Sequence, residues 1–229
     1  MKLSSIRFIF FDVGNTLLFP NHERIHAPLS ERGIVLDREQ LRNLECRTKN
    51  KFDGIMTGIL AKTCSSDHGF WWMFYSQLLS EIGMEDDAIR DHLVASIRNS
   101  ANWDNIRAGT SERLCEVGSR YQVAVISNAD GKIKDVLQRC GIADCFGSIT
   151  DSGLIGYEKP RPEIFHHALK TMNARPDESL YVGDVYSVDY LGAVGAGMQA
   201  ILMDVSGAYR EKGLPRVESL EELQIKLHR

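Results

Sequence analysis

Five short apolar runs recur along the chain, and they constrain the fold more than any other feature. They are RFIFFDV (Arg7–Val13), QVAVISN (Gln122–Asn128), FGSITDS (Phe146–Ser152), SLYVGDV (Ser179–Val185) and QAILMDV (Gln199–Val205). QVAVISN and SLYVGDV are nearly continuous in apolar character, as expected of parallel strands covered on both faces. FGSITDS is weaker and reads as a strand from its place in the order. Helical patterns lie between the runs. GKIKDVLQRCG sets Ile133, Val136 and Leu137 on one face and stops at Gly141. RPEIFHHALKTM carries Pro162 in its first turn and buries Ile164, Phe165, Ala168 and Leu169. YLGAVGAGM has the small residues that permit close packing on a sheet, and a last helix opens on a capping box, Ser219 and Glu222. The alternation predicts an α/β fold with a mostly parallel sheet.

From Pro20 to Trp103 the alternation breaks. DREQLRNLECRTKNKF, FWWMFYSQLLSEIG and EDDAIRDHLVASIRNS read as amphipathic helices, with no strand between them. A crossover between parallel strands needs only about a dozen residues. This stretch is therefore read as an insertion: residues 20–103 form a small helical cap, and residues 1–19 with 104–229 form the core. The aromatic run FWWMFY (Phe70–Tyr75) is apolar around most of a helix, which favours burial inside the cap. One or two rings are left to face a ligand, or to form an exposed patch that pairs two copies. The chain is a monomer or a cap-mediated homodimer on this reading. It crosses between the two parts near Phe19–His22 and Asn102–Arg107, which are natural hinges.

The formal charge is −4 and no basic patch stands out, so nucleic acid is not expected as a partner. No apolar segment is long enough to span a bilayer, and the apolar run near the start is short and interrupted by Asp12, unlike a signal peptide. The five cysteines (Cys46, Cys64, Cys115, Cys140 and Cys145) match no zinc or redox spacing. Reduced, packed cysteines and a cytoplasmic location are expected.

In an open α/β sheet, ligands bind beyond the carboxyl ends of the strands. The first run ends in Asp12, the second in Ser127 and Asn128, and the fourth in Asp184 with Asp189 close behind. Beyond the third, the turn-rich stretch GLIGYEKPRP carries Lys159. Taken singly, each has an ordinary explanation as a cap, a turn residue, a solvated lysine or a surface charge. Together they bring three acids, a hydroxyl and an ammonium to one rim. Clustered carboxylates repel one another and call for a cation, and all-oxygen ligands suit magnesium.

The motifs DVGNT (Asp12–Thr16), SN (Ser127, Asn128), KP (Lys159, Pro160) and GDVYSVD (Gly183–Asp189) stand in the order and spacing of the haloacid dehalogenase-like hydrolases. The chain resembles that superfamily over essentially its whole length. The resemblance implies a Rossmann-like core with a helical cap inserted after the first motif, and a small phosphorylated substrate. It implies that Asp12 is a nucleophile forming an aspartyl-phosphate and that Ser127 and the backbone at Asn128 hold phosphoryl oxygens. Lys159 would neutralise developing charge and keep Asp12 ionised. Magnesium would be bound by Asp12, Asp184 and the carbonyl of Gly14, with Asp189 acting through a water or by orienting Lys159. Thr16 would orient the loop or the phosphate.

One position departs from the pattern. Phosphatases of the superfamily carry a second aspartate two residues after the nucleophile, as proton carrier, and here that position is Gly14. A general acid–base contributes about 10²–10⁴-fold, so roughly 3–5 kcal/mol is lost from a much larger acceleration. Three ways out are open. The leaving group needs no proton, as in an acyl or activated aryl phosphate. A cap residue supplies the proton, with His22, Glu23, His26, Asp67 and His68 as candidates. Or the reaction is not ester hydrolysis. Two branches of the superfamily lack the acid: dehalogenases, which need no metal, and phosphonate-cleaving enzymes, which form a Schiff base on a cap lysine. Lys49, Lys51 and Lys62 lie in the cap, where a helical lysine is more often solvated. Retention of both Asp184 and Asp189 favours metal and places the phosphatase first. A binding protein that kept the fold without turnover is the alternative of a different class.

Overall fold

The computed structural model describes residues 3–59 and 66–228. Its main sheet has six parallel strands: β1 (Phe8–Phe11), β4 (Gln122–Ser127), β5 (Ser148–Asp151), β6 (Ser179–Gly183), β7 (Gln199–Met203) and β8 (Arg216–Val217). They lie in the order β5-β4-β1-β6-β7-β8. A short antiparallel pair, β2 (Leu18–Phe19) with β3 (Asn105–Ile106), stands apart from the sheet. The helices are α1 (His22–Ile25), α2 (Ala27–Ser30), α3 (Arg38–Ile59), α4 (Ser66–Glu81), α5 (Asp87–Arg98), α6 (Thr110–Gly118), α7 (Ile133–Arg139), α8 (Ser152–Ile155), α9 (Pro162–Thr171), α10 (Leu191–Gly195) and α11 (Leu220–Leu227).

Alternate side chains of the central strand leave on opposite faces. Ile9 and Phe11 join a core with Leu114, Val117, Ile133, Val136 and Leu223 from helices on one side. Phe8 and Phe10 join a second core with Ile164, Phe165, Ala168 and Ala193 on the other. Both faces are covered, which explains why the strands read as continuous apolar runs. The expected α/β, Rossmann-like class is thus observed. The two-residue strand β8 was not expected, because a stretch that short leaves no periodicity to read. The capping box is present in altered form: Ser219 Oγ accepts from the amide of Glu222, while the Glu222 carboxylate accepts from the amide of Glu218 rather than that of Ser219.

The chain leaves β1 on one side towards β4 and β5 and returns to β6 on the other. The carboxyl end of β1 is therefore a switch point of the topology, where a crevice opens. Register brings the critical residues level. Phe11 pairs with both Val125 and Val182, and Ser127 with Asp151. Asp12, Ser127 and Asp184 consequently leave the sheet within a residue or two of one height.

Helices α1 to α5 pack around a core of their own, with Ile25, Leu29, Leu44, Phe74, Tyr75, Leu78, Leu93 and Ile97 all buried. The aromatic run is divided: Phe74 and Tyr75 are buried in this core with Trp71 packed against it, Phe70 is buried in a separate cluster with Phe52, Met56 and Val188, and Trp72 is exposed beneath the Arg90 guanidinium. The two chain crossings lie side by side, joined by β2–β3 and by the Asn21 amide donating to the Asn102 carbonyl at 2.7 Å. Among the described residues no helix is long and apolar enough to cross a membrane.

Candidate active site

Asp12 follows β1 directly, its amide donating to the Val182 carbonyl at 2.8 Å. The chain then turns back tightly, with the amides of Leu17 and Leu18 both donating to the Val13 carbonyl at 2.9 Å and Asn15 in the left-handed region at φ 52°. Asparagine tolerates that conformation better than most residues. The turn brings Thr16 Oγ1 to 3.4 Å from Asp12 Oδ2. Lys159 is the hub. Its Nζ donates to Asp12 Oδ1 at 2.6 Å, to Asp189 Oδ1 at 2.7 Å and to the Tyr181 hydroxyl at 2.9 Å. The Asn128 side chain clamps the loop that carries it, donating to the Lys159 carbonyl at 3.0 Å and accepting from the Lys159 amide at 2.7 Å. The Asp189 carboxylate is engaged on both oxygens, since Oδ2 accepts from the Val185 amide at 2.9 Å. Gly183 makes this possible: a Cβ there would fall 2.5 Å from Asp189 Cγ.

One oxygen each of Asp12, Asp184 and Asp189 falls within 4.8 Å of the others, and all three residues are buried. Burial pushes the Asp12 carboxyl up, with Asp189 and Asp184 adding to the rise and the Lys159 ammonium opposing it. Burial raises Asp184 likewise, against the pull of Lys49. Burial disfavours the Lys159 ammonium, yet Asp12 and Asp189 outweigh it and hold the ammonium firmly protonated. Of the three hard carboxylates, Asp12 and Asp189 share the Lys159 ammonium, while the second ammonium at the cluster, Lys49 on Asp184, is itself paired with Glu45, so negative charge is in excess. Their oxygens and their repulsion fit a hard divalent cation.

A cavity of ≈ 100 Å³ opens above Asp12, walled by Gly14, Ser127, Asn128, Lys159, Asp184 and Asp189 on the core side and by Phe52, Phe70, Trp71, Arg98 and Trp103 on the helical side. Of the expected site residues only Thr16 is absent from its wall, and Thr16 contacts Asp12 from beside it.

Three features were not anticipated. The first answers the question posed by Gly14. A Cβ at Gly14 would meet the Trp103 ring at 3.2 and 3.3 Å. Trp103 is held there by its indole N–H, which donates to the Ile97 carbonyl at 2.6 Å. The indole therefore crowds the place where any side chain at position 14 would start. Of the expected substitutes, His22, Glu23 and His26 are not in the cavity wall. The side chains of Asp67 and His68 lie outside the described residues, as does Lys62.

The second is Lys49, expected to be solvated. Its side chain is 1% exposed, with Nζ 2.8 Å from Asp184 Oδ2 and 2.7 Å from Glu45 Oε1. Lys51, by contrast, is exposed. The signal was helical spacing: Lys49 shares a face with Phe52, Asp53 and Met56, all buried. Tyr181 was also missed, a polar tip on a β-strand that otherwise reads as plain core.

The family model described as haloacid dehalogenase-like hydrolase matches residues 6–197. The human protein named haloacid dehalogenase-like hydrolase domain-containing protein 3 is 28% identical over 213 residues, 86% of this chain and 82% of that protein. A glyceraldehyde 3-phosphate phosphatase from Methanothermobacter thermautotrophicus is 39% identical over 97 residues, 42% of this chain and 43% of that one. Among solved structures, the HAD-hydrolase YfnB from Bacillus subtilis, described as bound to magnesium and revealing interdomain movement, superposes with a TM-score of 0.67 at 18% identity. It covers 98% of this chain and 99% of its own.

Proposed function

Because the chain belongs to the haloacid dehalogenase-like hydrolases, we propose that it is a magnesium-dependent phosphatase of a small phosphorylated metabolite, acting through an aspartyl-phosphate on Asp12. The observation that carries this reading is the Lys159 ammonium, bonded to both Asp12 and Asp189 beneath a cavity rimmed by Ser127 and Asn128. Phosphoryl transfer depends on positioning and charge neutralisation more than on covalent chemistry, and this arrangement supplies both.

Asp12 presents a carboxylate oxygen to phosphorus, and the P–O bond to the leaving group breaks as the Asp12–phosphorus bond forms. Lys159 pulls Asp12 towards its ionised form against the rise that burial imposes, and it neutralises charge growing on the phosphoryl oxygens. Ser127 and the Asn128 amide hold those oxygens. Asp189 and Tyr181 fix the position of Lys159. Magnesium, held by Asp12, Asp184 and the Gly14 carbonyl, would add charge that stabilises the transferred group; Asp189, engaged on both oxygens, serves Lys159 first and the ion indirectly. The name of the archaeal relative supports a phosphatase, and the magnesium in the Bacillus subtilis structure supports the cofactor.

With Trp103 against Gly14, the described residues of the cavity wall include no acid beyond Asp12, Asp184 and Asp189. This favours a substrate whose leaving group departs as a stable anion, such as an acyl phosphate or an activated aryl phosphate. The cavity suits a small substrate, since ≈ 100 Å³ falls short of the about 300–1,000 Å³ typical of drug-sized ligand sites. Imine chemistry on Lys49 is disfavoured, because Asp184 and Glu45 outweigh its burial and hold it as an ammonium. The test is a panel with magnesium: acyl, aryl and alkyl phosphates, phosphonoacetaldehyde and a haloacid. A rate rising steeply with leaving-group acidity supports the reading. Turnover confined to the haloacid or the phosphonate, or no turnover at all, overturns it.

A further inference from the structure

Among the described residues, Lys49 joins the helical insertion to the acid cluster through Asp184, a contact that the proposed reaction does not use. It lies in the middle of α3, and the residues around it on the same face reach the core as well. Arg42 Nε donates to the Ser206 carbonyl at 3.2 Å, and Asp53 Oδ1 accepts from the Ser187 amide at 3.0 Å. Positions 42, 45, 49 and 53 recur at helical spacing, so one polar stripe of α3 is docked on the loops beyond β6 and β7.

The charges divide in an informative way. Lys49 arrives already balanced by Glu45, four residues earlier on the same helix. With all three acids ionised, the core's own set, Asp12, Asp184 and Asp189 with Lys159, sums to −2, the charge that one divalent ion cancels. In this structure the insertion places a monovalent ammonium on Asp184 Oδ2 at 2.8 Å. An ammonium and a divalent ion crowded on one buried carboxylate repel each other strongly, because little water screens them.

We propose that Lys49 is a tethered cation that competes with the divalent ion for Asp184. The docked state of α3 and the ion-loaded state of the acid cluster then oppose each other, and the ion enters as Lys49 and the α3 stripe withdraw. The inference rests on the reading of Asp184 as a metal ligand. By linkage, whatever weakens docking of α3 tightens the ion, and the ion loosens α3.

The test is calorimetric titration with magnesium alone, at fixed ionic strength, of the whole protein and of Lys49→Met, Arg42→Ala and Asp184→Asn. Lys49→Met is expected to bind magnesium about 5–150-fold more tightly than the parent, the usual span of coupling between two sites. Arg42→Ala removes only the contact with Ser206, away from the acids, and is expected to shift affinity in the same direction by less. It carries the test if Lys49→Met does not fold. Hydrogen exchange of the α3 amides should accelerate on adding magnesium to the parent and not to Lys49→Met. Equal or weaker magnesium binding by both variants, still abolished by Asp184→Asn, overturns the competition while leaving the metal reading intact. Binding that is undiminished in Asp184→Asn, or absent from the parent and both variants, removes the metal reading and this proposal with it.

Discussion

If Trp103 is the reason that position 14 is glycine, the two positions must be energetically coupled. Gly14→Asp places a Cβ 3.2 Å from the Trp103 ring, and a carboxylate must then extend past it. Either the indole shifts or the turn at Asp12 does. Overpacking of this kind costs about 1–3 kcal/mol. The indole is anchored at Ile97 and packs on Trp71, so it does not give freely. Trp103→Leu alone leaves a void and an unpaired Ile97 carbonyl. For a half-buried ring it should cost about 2 kcal/mol, below the ~3–5 kcal/mol of a fully buried aromatic truncated to alanine. In the double variant the new carboxylate occupies the vacated space. Its cost should fall short of the sum by about 1–2 kcal/mol, within the ~0.5–3 kcal/mol found for contacting pairs. Urea denaturation of the four proteins gives the coupling directly. The same four proteins, assayed on a series of aryl phosphates, give its functional counterpart. Gly14→Asp/Trp103→Leu should gain most on the poorest leaving groups, by up to about 10²-fold, the lower end of general-acid catalysis. Strict additivity in stability, with an unchanged dependence on leaving-group acidity, would refute the argument that Trp103 occupies the acid's place.

Further outcomes follow from the same geometry. Lys159→Met should lower kcat by about 10²–10³-fold or more, because the ammonium neutralises the charge that grows on the phosphoryl oxygens; a variant with near-parental kcat on the best substrate would show that Lys159 serves only the fold. His26 is buried near Tyr75, and burial, with His22 stacked beside it, lowers its pKa to about 4. The unfolded chain therefore takes up a proton between pH 6.5 and about 4 that the fold refuses. This contribution to stability is complete above the unfolded pKa and is lost as pH falls through that window, by at most about 3 kcal/mol. Denaturation midpoints between pH 7 and 4 should accordingly fall less steeply in His26→Gln than in the parent, and identical slopes would contradict the assignment.

The core was legible because burial on both faces imposes a composition that one strand cannot hide, and because Asp12, Ser127 and Asp184 stand at strand ends, with Asp189 and Lys159 in the segments that follow. Asp12, Ser127, Asp184 and Lys159 could be brought to one rim from strand order alone. The helical face of the site was not legible in the same way. Trp103 and Lys49 act across about 90 and 135 residues of chain, on Gly14 and Asp184, and nothing local to either marks the contact. Lys49 looks like any helical lysine until α3 is docked, and Trp103 looks like a core aromatic until its ring is found over Gly14. The glycine was visible as a gap in a motif; only the fold shows that the gap is filled.

The central claim is that Asp12 carries the phosphoryl group. Acid quenching during turnover of the best substrate with magnesium, followed by peptide mass analysis, tests it most directly. The peptide containing Asp12 should carry one phosphoryl group in the parent and none in Asp12→Asn, which should also lack turnover while remaining folded. Label on another residue, or full turnover by Asp12→Asn, would contradict the account.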